Sequence, residues 1–275
     1  MKRIILLSLI LISVLSFQSS AQGNLLITPM RVVFDGSKQN QEFNIVNIGK
    51  DSATYIISFL HYNMKEDGSC ETIEKPELGK MFADPYLRIY PRRVMLAPGE
   101  PQVIMIQYRR KADMLAGEYR SHLYFRAEKN NHPLDSIHSP KDTTQLSIQL
   151  TPIYGLSIPV IIRSNAGDVK TTLSDLKLDM KQGSSQDLEL TINRTGNIST
   201  YGDIIIDYIP AQGKSSQISA IRGVGVYTDI NKRNMVIKLN ITSGISLKNG
   251  KLKVRYISNN DIKKPVVYAV GELDV

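Results

Sequence analysis

Gln41-Glu42-Phe43-Asn44-Ile45-Val46-Asn47 is a run in which apolar Phe43 and Ile45 alternate with polar Glu42 and Asn44. Successive side chains of an extended chain point to opposite faces, so the run offers one face to a core and the other to solvent. This pattern predicts a β-strand, and it recurs along the chain. Ala53 to Tyr62 is rich in β-branched and aromatic residues. Val103-Ile104-Met105-Ile106-Gln107-Tyr108, Tyr119 to Ala127 and Leu146 to Ile162 continue the series. Turn signals fall between the runs at Asp35-Gly36, Ile48-Gly49-Lys50-Asp51, Asp67-Gly68 and Pro98-Gly99. No stretch holds a 3.6-residue apolar period over three turns, so the chain is read as all-β.

The alternation pauses at Arg163-Ser164-Asn165-Ala166-Gly167-Asp168, a short polar segment. Strand-like runs resume at Leu173 to Leu178, Leu188 to Asn193, Ile204 to Pro210 and Gly223 to Thr228. Met235 to Ile241, Leu252 to Ile257 and Val266 to Val270 complete the set. Seven runs in roughly 110 residues match the strand count of an immunoglobulin-like sandwich. The expected organisation is residues 1–21 as a signal peptide, 22–163 as one immunoglobulin-like β-sandwich and 164–275 as a second. Lys129 to Thr143, polar with two prolines and two histidines, reads as a long mobile loop before an unusually long strand.

The chain has 275 residues with 34 Lys+Arg against 26 Asp+Glu. A hydrophobic share of 42% and a charged share of 22% exclude wholesale disorder. Cys70 is the one cysteine, which excludes an intrachain disulfide framework and a multi-cysteine zinc site. Lys2 and Arg3 precede an apolar run from Ile4 to Phe17 broken only by serines, and Ser19-Ser20-Ala21 supplies small residues at a cleavage position. This is the pattern of a secretory signal peptide, short of the ~20 apolar residues of a spanning helix. Cleavage leaves Gln22 as the new N-terminus and a soluble, exported protein; an uncleaved anchor is the other reading of the same run. Loss of Lys2 and Arg3 lowers the formal charge from +8 to +6. Arg92-Arg93 and Arg109-Arg110-Lys111 sit among acids and apolar residues, as solvated strand ends do, so neither nucleic-acid binding nor membrane insertion is expected.

Catalytic motifs are scarce. No G-x-S-x-G elbow, phosphate loop, H-E-x-x-H or calcium loop occurs. His132 and His138 fall in the polar loop with no cysteine or acid cluster to complete a metal site. His61 and His122 lie on strand-like runs, where a half-buried imidazole is the default. Cys70 stands in Asp67-Gly68-Ser69-Cys70 with no base nearby in sequence to activate it. Asn193-Arg194-Thr195, Asn197-Ile198-Ser199 and Asn240-Ile241-Thr242 fit the glycosylation triplet, a weak signal. The chain is read as a non-enzyme with no cofactor and no metal.

Residues 144–158 carry a second pattern. Leu146, Ile148, Leu150, Tyr154, Leu156 and Ile158 occupy even positions and share one face of a regular strand. The odd positions Gln145, Ser147, Gln149, Thr151, Ile153, Gly155 and Ser157 are mostly polar or small. Alternation alone leaves two readings open: the apolar face packs into its own core, or it is offered to a partner. Pro152 donates no ladder hydrogen bond and marks a bulge or a gap in pairing.

Several segments together resemble a known family. Leu26-Ile27-Thr28-Pro29-Met30-Arg31-Val32-Val33-Phe34-Asp35-Gly36, followed by the strand ending Ile45-Val46-Asn47, is similar to the opening of the PapD-like periplasmic pilus-assembly chaperones. Tyr90-Pro91-Arg92-Arg93-Val94-Met95-Leu96-Ala97-Pro98-Gly99-Glu100-Pro101-Gln102 resembles their proline-led strand and Pro-Gly turn. Gly117-Glu118-Tyr119-Arg120-Ser121-His122-Leu123-Tyr124-Phe125 is similar to their Tyr-Arg-Ser strand, and Pro159-Val160-Ile161-Ile162-Arg163 to the end of their long strand. The order and spacing of these segments carry the resemblance over most of residues 24–163; beyond that the match is a generic sandwich.

The resemblance, as to a divergent member, implies two immunoglobulin-like sandwiches in a boomerang arrangement and a periplasmic location. It implies a carrier of pilus or fimbrial subunits that works with an outer-membrane assembly platform and lends a strand to an incomplete subunit sandwich. Leu146, Ile148, Leu150, Tyr154 and Leu156 would then be the donor-strand side chains. Arg31 takes the place of the family's arginine, three residues before Phe34, which anchors the subunit's terminal carboxylate together with a lysine. That lysine position, counted back from Arg163, is Pro159 here, so the second half of the anchor is missing from its expected place. Arg163 itself is read as a domain-junction contact. A structural or adhesive surface-fibre protein of immunoglobulin-like domains is the alternative function.

Overall fold

A computed structural model describes residues 25–74, 80–112, 114–128, 154–165, 167–180, 186–239, 247, 249–258 and 265–275. The first eleven strands begin with β1 (Leu25–Thr28), β2 (Val32–Phe34), β3 (Asn40–Asn47) and β4 (Ala53–Leu60). They continue through β5 (Tyr62–Met64), β6 (Cys70–Thr72), β7 (Leu87–Tyr90), β8 (Arg93–Leu96), β9 (Pro101–Tyr108), β10 (Gly117–Ala127) and β11 (Gly155–Ser164). A four-stranded sheet of order β1-β3-β9-β7 faces a five-stranded sheet of order β2-β11-β10-β4-β8, and β5-β6 forms a separate hairpin. Phe43 and Ile45 are fully buried between the sheets beside Ile104, Ile106, Leu123 and Phe125, as their alternation predicts. The rings of Phe43 and Phe125 meet edge to face at 6.2 Å. Asn47 closes the same run as a buried polar residue. Its amide donates to the carbonyls of Asp51 and Leu96 and its Oδ1 accepts from the Gly49 amide, which shapes the predicted Ile48–Asp51 turn.

The second half holds β12 (Val169–Met180), β13 (Gln186–Gly196), β14 (Thr200–Pro210) and β15 (Ser216–Val226), then β16 (Lys232–Leu239), β17 (Gly250–Ser258) and β18 (Val267–Asp274). A sheet of order β12-β13-β16 packs on one of order β15-β14-β17-β18 around Leu190, Ile192, Ile204, Ile206, Val254 and Tyr256. The architecture is therefore two immunoglobulin-like β-sandwiches. Among the described residues the one helical element is the short 3₁₀ turn Asp84–Tyr86.

Several strands outrun their sequence signal. β15 starts at Ser216 rather than Gly223, because pairing with the buried strand β14 extends it through polar Ser216, Gln217 and Ser219. β12 and β18 extend in the same way along β13 and β17. Neighbouring strands, more than intrinsic propensity, set these limits. Residues 1–21, the 129–143 segment, His132, His138 and Asn240, together with Leu146, Ile148 and Leu150, lie outside the described residues.

Strand β10 is what positions the functional region. Tyr119, Leu123 and Phe125 enter the core of the first sandwich. On its opposite face Glu118, Arg120 and His122 are also buried, because the second sandwich covers them. Phe43→Ala is expected to cost about 3–5 kcal/mol in urea unfolding, since it empties a sealed core position. Tyr90→Ala, at a side chain 79% exposed, is expected to stay within about 0.5 kcal/mol of wild type.

Candidate functional site at the domain junction

Strand β11 pairs antiparallel with β10 from Gly155↔Arg126 to Ser164↔Gly117. On its other side it pairs parallel with β2, but only through Val160↔Val32, Ile161↔Val33 and Ile162↔Phe34. From Gly155 to Pro159 that second edge has no partner strand among the described residues. Burial changes at the same point. Ile158, Val160 and Ile162 are sealed in the core, whereas Tyr154 and Leu156, on the same face, are 45% and 38% exposed. They border an opening into the sandwich lined by Leu25, Tyr55, Phe125 and Ala127. Within the described part of the run, Ile158 packs inward, whereas Tyr154 and Leu156 remain partly exposed.

Arg31 immediately precedes β2, and the parallel register, continued by one residue, sets it against Pro159. It therefore stands where the free edge stops. Its Nη2 donates to Ser199 Oγ at 3.3 Å, and its guanidinium lies 4.5 Å from the Tyr201 ring centre and 5.7 Å from that of Tyr227. Its Nη1 is buried without a hydrogen-bond partner, and no carboxylate pairs with it among the described residues. A guanidinium offers donors only and stays permanently charged. Pro159, opposite His122 on β10, contributes neither charge nor amide hydrogen.

The junction around this site is held by ionic contacts. Arg120 pairs with Asp229 of the second sandwich, both side chains less than 9% exposed, and also donates to the Tyr62 carbonyl at 3.0 Å. Asp229 accepts the Met64 amide at 3.0 Å and lies 3.6 Å from Lys80. The Arg120 guanidinium sits 3.9 Å from the centre of the Tyr227 ring. Glu118 Oε2 accepts from the amide and hydroxyl of Ser199 at 3.0 and 2.8 Å and from Arg163 Nε at 3.3 Å. Arg163 also donates to the Ser199 carbonyl at 3.0 Å, so it is a domain-junction contact. Sequence reasoning missed Glu118, Arg120, Asp229 and Ser199 as a set. The available signal was Glu118 and Arg120 at i and i+2, two charges on one face of a strand whose other face is core.

Other candidate groups resolve into structure. His61 Nε2 lies 2.7 Å from Asp84 Oδ1, and Ser121 Oγ donates to the same oxygen at 2.9 Å. The serine thus faces the carboxylate rather than the imidazole. Its hydroxyl also accepts the amides of Ala83 and Asp84, which makes the trio a turn clasp without an activated nucleophile. Burial pushes the Cys70 thiol up, away from the reactive thiolate. Burial and the neighbouring Arg120 charge lower the His122 pKa from 6.5 to about 3, so its ring is neutral at ordinary pH. Among the described residues no three His, Cys, Asp or Glu side chains cluster as a metal site.

Two expectations follow for this junction. Asp229→Ala strands the buried Arg120 charge and is expected to cost about 3–5 kcal/mol, read as a lower thermal midpoint. Between pH 6.5 and 3 the unfolded chain binds a proton at His122 that the folded chain refuses, so stability falls as pH falls through that window. The slope from this group is at most about 1.4 kcal/mol per pH unit, and His122→Asn should flatten the pH dependence of the urea midpoint.

No family model matches this sequence, and no curated protein matches it. Among solved structures it is similar to the YadV chaperone, at 12% identity over 92% of this chain and 100% of that one, with a TM-score of 0.46. It is similar also to the CsuC–CsuE chaperone–tip adhesion subunit pre-assembly complex from the archaic chaperone-usher Csu pili of Acinetobacter baumannii. That match has 12% identity, 90% and 99% coverage and a TM-score of 0.45. A chaperone–tip adhesin complex of CFA/I fimbriae biogenesis matches at 12% identity over 89% and 97%, with a TM-score of 0.44. Many of the solved chains that this protein is similar to, along nearly its whole length and at low identity, are PapD-like fimbrial chaperones.

Proposed function

We propose that this protein is an exported chaperone that holds pilus or fimbrial subunits in the periplasm by lending them the free edge of β11 before assembly. The observation that carries the reading is the coincidence at Pro159. A strand edge unpaired among the described residues, flanked by exposed Tyr154 and Leu156, ends where β2 takes over, and the half-buried Arg31, whose Nη1 is sealed without a hydrogen-bond partner, stands at that end. A partner strand added along Gly155–Pro159 must stop at Arg31. Running parallel to β11, it would present its C-terminal carboxylate to the guanidinium; running antiparallel, it would present a cation. Charge therefore selects the parallel orientation, and fixing the chain end fixes the register of every residue before it.

The exchange needs no cofactor or chemical step. A subunit missing one strand exposes an apolar groove and unpaired backbone groups, and β-augmentation covers both. Each apolar side chain entering the groove contributes about 1.5–3 kcal/mol before ordering costs. Later release follows from replacement of the lent strand by a subunit's own segment at an outer-membrane assembly platform. No helix among the described residues is long and apolar enough to cross a membrane.

The test is purification of the tagged full chain from the exported fraction, with mass spectrometry and stoichiometry of what accompanies it. A small β-rich protein held one to one, lost with Leu156→Asp and reduced about tenfold or more by Arg31→Ala, is the expected result. Self-association alone, unaffected by either substitution, would overturn the chaperone reading in favour of a structural fibre protein.

A further inference from the structure

At the junction most cations are neutralised. Arg120 and Lys80 face Asp229, and Arg163 faces Glu118. Arg194 is taken up by the carbonyls of Gly196, Ile198 and Ile230. Two guanidiniums remain that combine a buried, unpartnered nitrogen with the lack of any paired carboxylate among the described residues: Arg31 at Nη1 and Arg233 at Nε. Arg233 belongs to β16 in the second sandwich, far in sequence from the lent strand. It nevertheless lines the same cavity, of about 450 Å³, as Ser157 and Pro159 at the end of the free β11 edge. Tyr227 and His122 form another part of that wall, and Tyr227 is the ring that Arg31 approaches from its own side.

Arg233 is also held in position. Its Nη1 donates to the Gly225 carbonyl at 2.5 Å. The turn of the β5–β6 hairpin lies directly on its guanidinium: a Cβ added at Gly68 would fall 2.4–2.6 Å from Nη2, Nε and Cζ. Gly68 has φ +84°, so the turn conformation and the close approach both require glycine there. The hairpin is further tied to the second sandwich, since Glu66 accepts the Asn234 amide at 2.7 Å and Met64 donates to Asp229. A lysine would swing out to water; a guanidinium clamped by backbone on two sides stays where it is. The Gly225 that accepts from Arg233 packs against Tyr201 and Tyr227, the two rings that Arg31 faces: a Cβ added there would lie 3.6 Å from each.

We propose that Arg233 is the second cation of the carboxylate site, so that the terminal carboxylate of an added strand is gripped by one guanidinium from each sandwich. This rests on the chaperone reading above, and it accounts for Pro159: the charge absent from the lent strand is supplied across the junction. The neutral His122 ring adds an unpartnered Nδ1 to the same wall as a polar contact without charge. Because the two guanidiniums belong to different sandwiches, the bound carboxylate also bridges them.

The full chain, with arginine side chains labelled with nitrogen-15, would be titrated with the peptide acetyl-Val-Thr-Val-Thr-Val bearing either a free C-terminal carboxylate or a C-terminal amide. The expected result is that the Nε–H resonances of both Arg31 and Arg233 move with the carboxylate peptide and stay still with the amide at equal concentration. Arg233→Gln should lower the carboxylate-over-amide preference about tenfold, whereas Arg255→Gln, at a guanidinium paired with Asp207, should leave it unchanged. Movement of Arg31 alone, with Arg233→Gln indistinguishable from wild type, would overturn the role of Arg233 and leave the chaperone reading standing. No response of either arginine or of the Gly155–Ile158 amides to either peptide would overturn the lent edge itself.

Discussion

Asp229, nearly sealed from solvent and held by Arg120, is the contact on which the site depends. Removing two such charges from water costs several kcal/mol each, and the attraction between them offsets this only when geometry and additional hydrogen bonds are good. Here they are: the same carboxylate takes the Arg120 guanidinium and the Met64 amide, with Lys80 at 3.6 Å. All three partners belong to the first sandwich and Asp229 to the second. A pair of this kind adds little net stability compared with an apolar replacement, so its contribution lies in the geometry that it enforces. Tyr227 carries that geometry onward, because its ring packs beside Arg120 on one side and Arg31 on another. Rotating one sandwich against the other would move the aromatic wall on which Arg31 rests.

Strand β11 meets three different demands within ten residues. Its even positions from Ile158 onward fill the core, its odd positions Ile161 and Arg163 face the second sandwich, and its first residues are left with an open edge. Period-two geometry lets one strand serve two faces at once, and a slip of a single residue would exchange them. The parallel pairing with β2 is what makes the edge finite. An unlimited edge would be an aggregation template; in the proposed role, one that ends after Pro159 against a charged residue would admit a partner in one register and one direction.

The alternation around Phe43 and the seven runs after residue 164 made the sandwich architecture legible in the sequence; of the even-position stripe from Leu146 to Ile158, only Tyr154, Leu156 and Ile158 fall on described residues. Arg31 was singled out because its neighbours Thr28-Pro29-Met30 and Phe34 carry a family pattern, not because an isolated arginine says anything. The junction was not legible, for a physical reason. Glu118, Arg120, Ser199 and Asp229 are brought together by the docking of two sandwiches, over sequence separations that no local period records. Arg233 was hidden in the same way. It reads as a polar position on a strand, and the cavity it lines has its other walls on β5, β6, β10, β11 and β15 and at Tyr227.

A buried donor without a partner is a standing cost of about 1–3 kcal/mol. At Arg31 and Arg233 that cost is borne before a ligand arrives, because stacking on Tyr201 and clamping by Gly68 and Gly225 keep the guanidiniums from turning to water. Under the proposal, a carboxylate reaching them would satisfy both donors at once and have little side-chain ordering left to impose. An amide or a continuing chain brings no charge to compensate and leaves the desolvated donors poorly matched. The same unpartnered donors would then discriminate a chain end from a chain interior. A strand edge alone would accept any extended segment; under the proposal, the unpartnered nitrogens of Arg31 and Arg233 beside Pro159 would make the edge selective for one that terminates there.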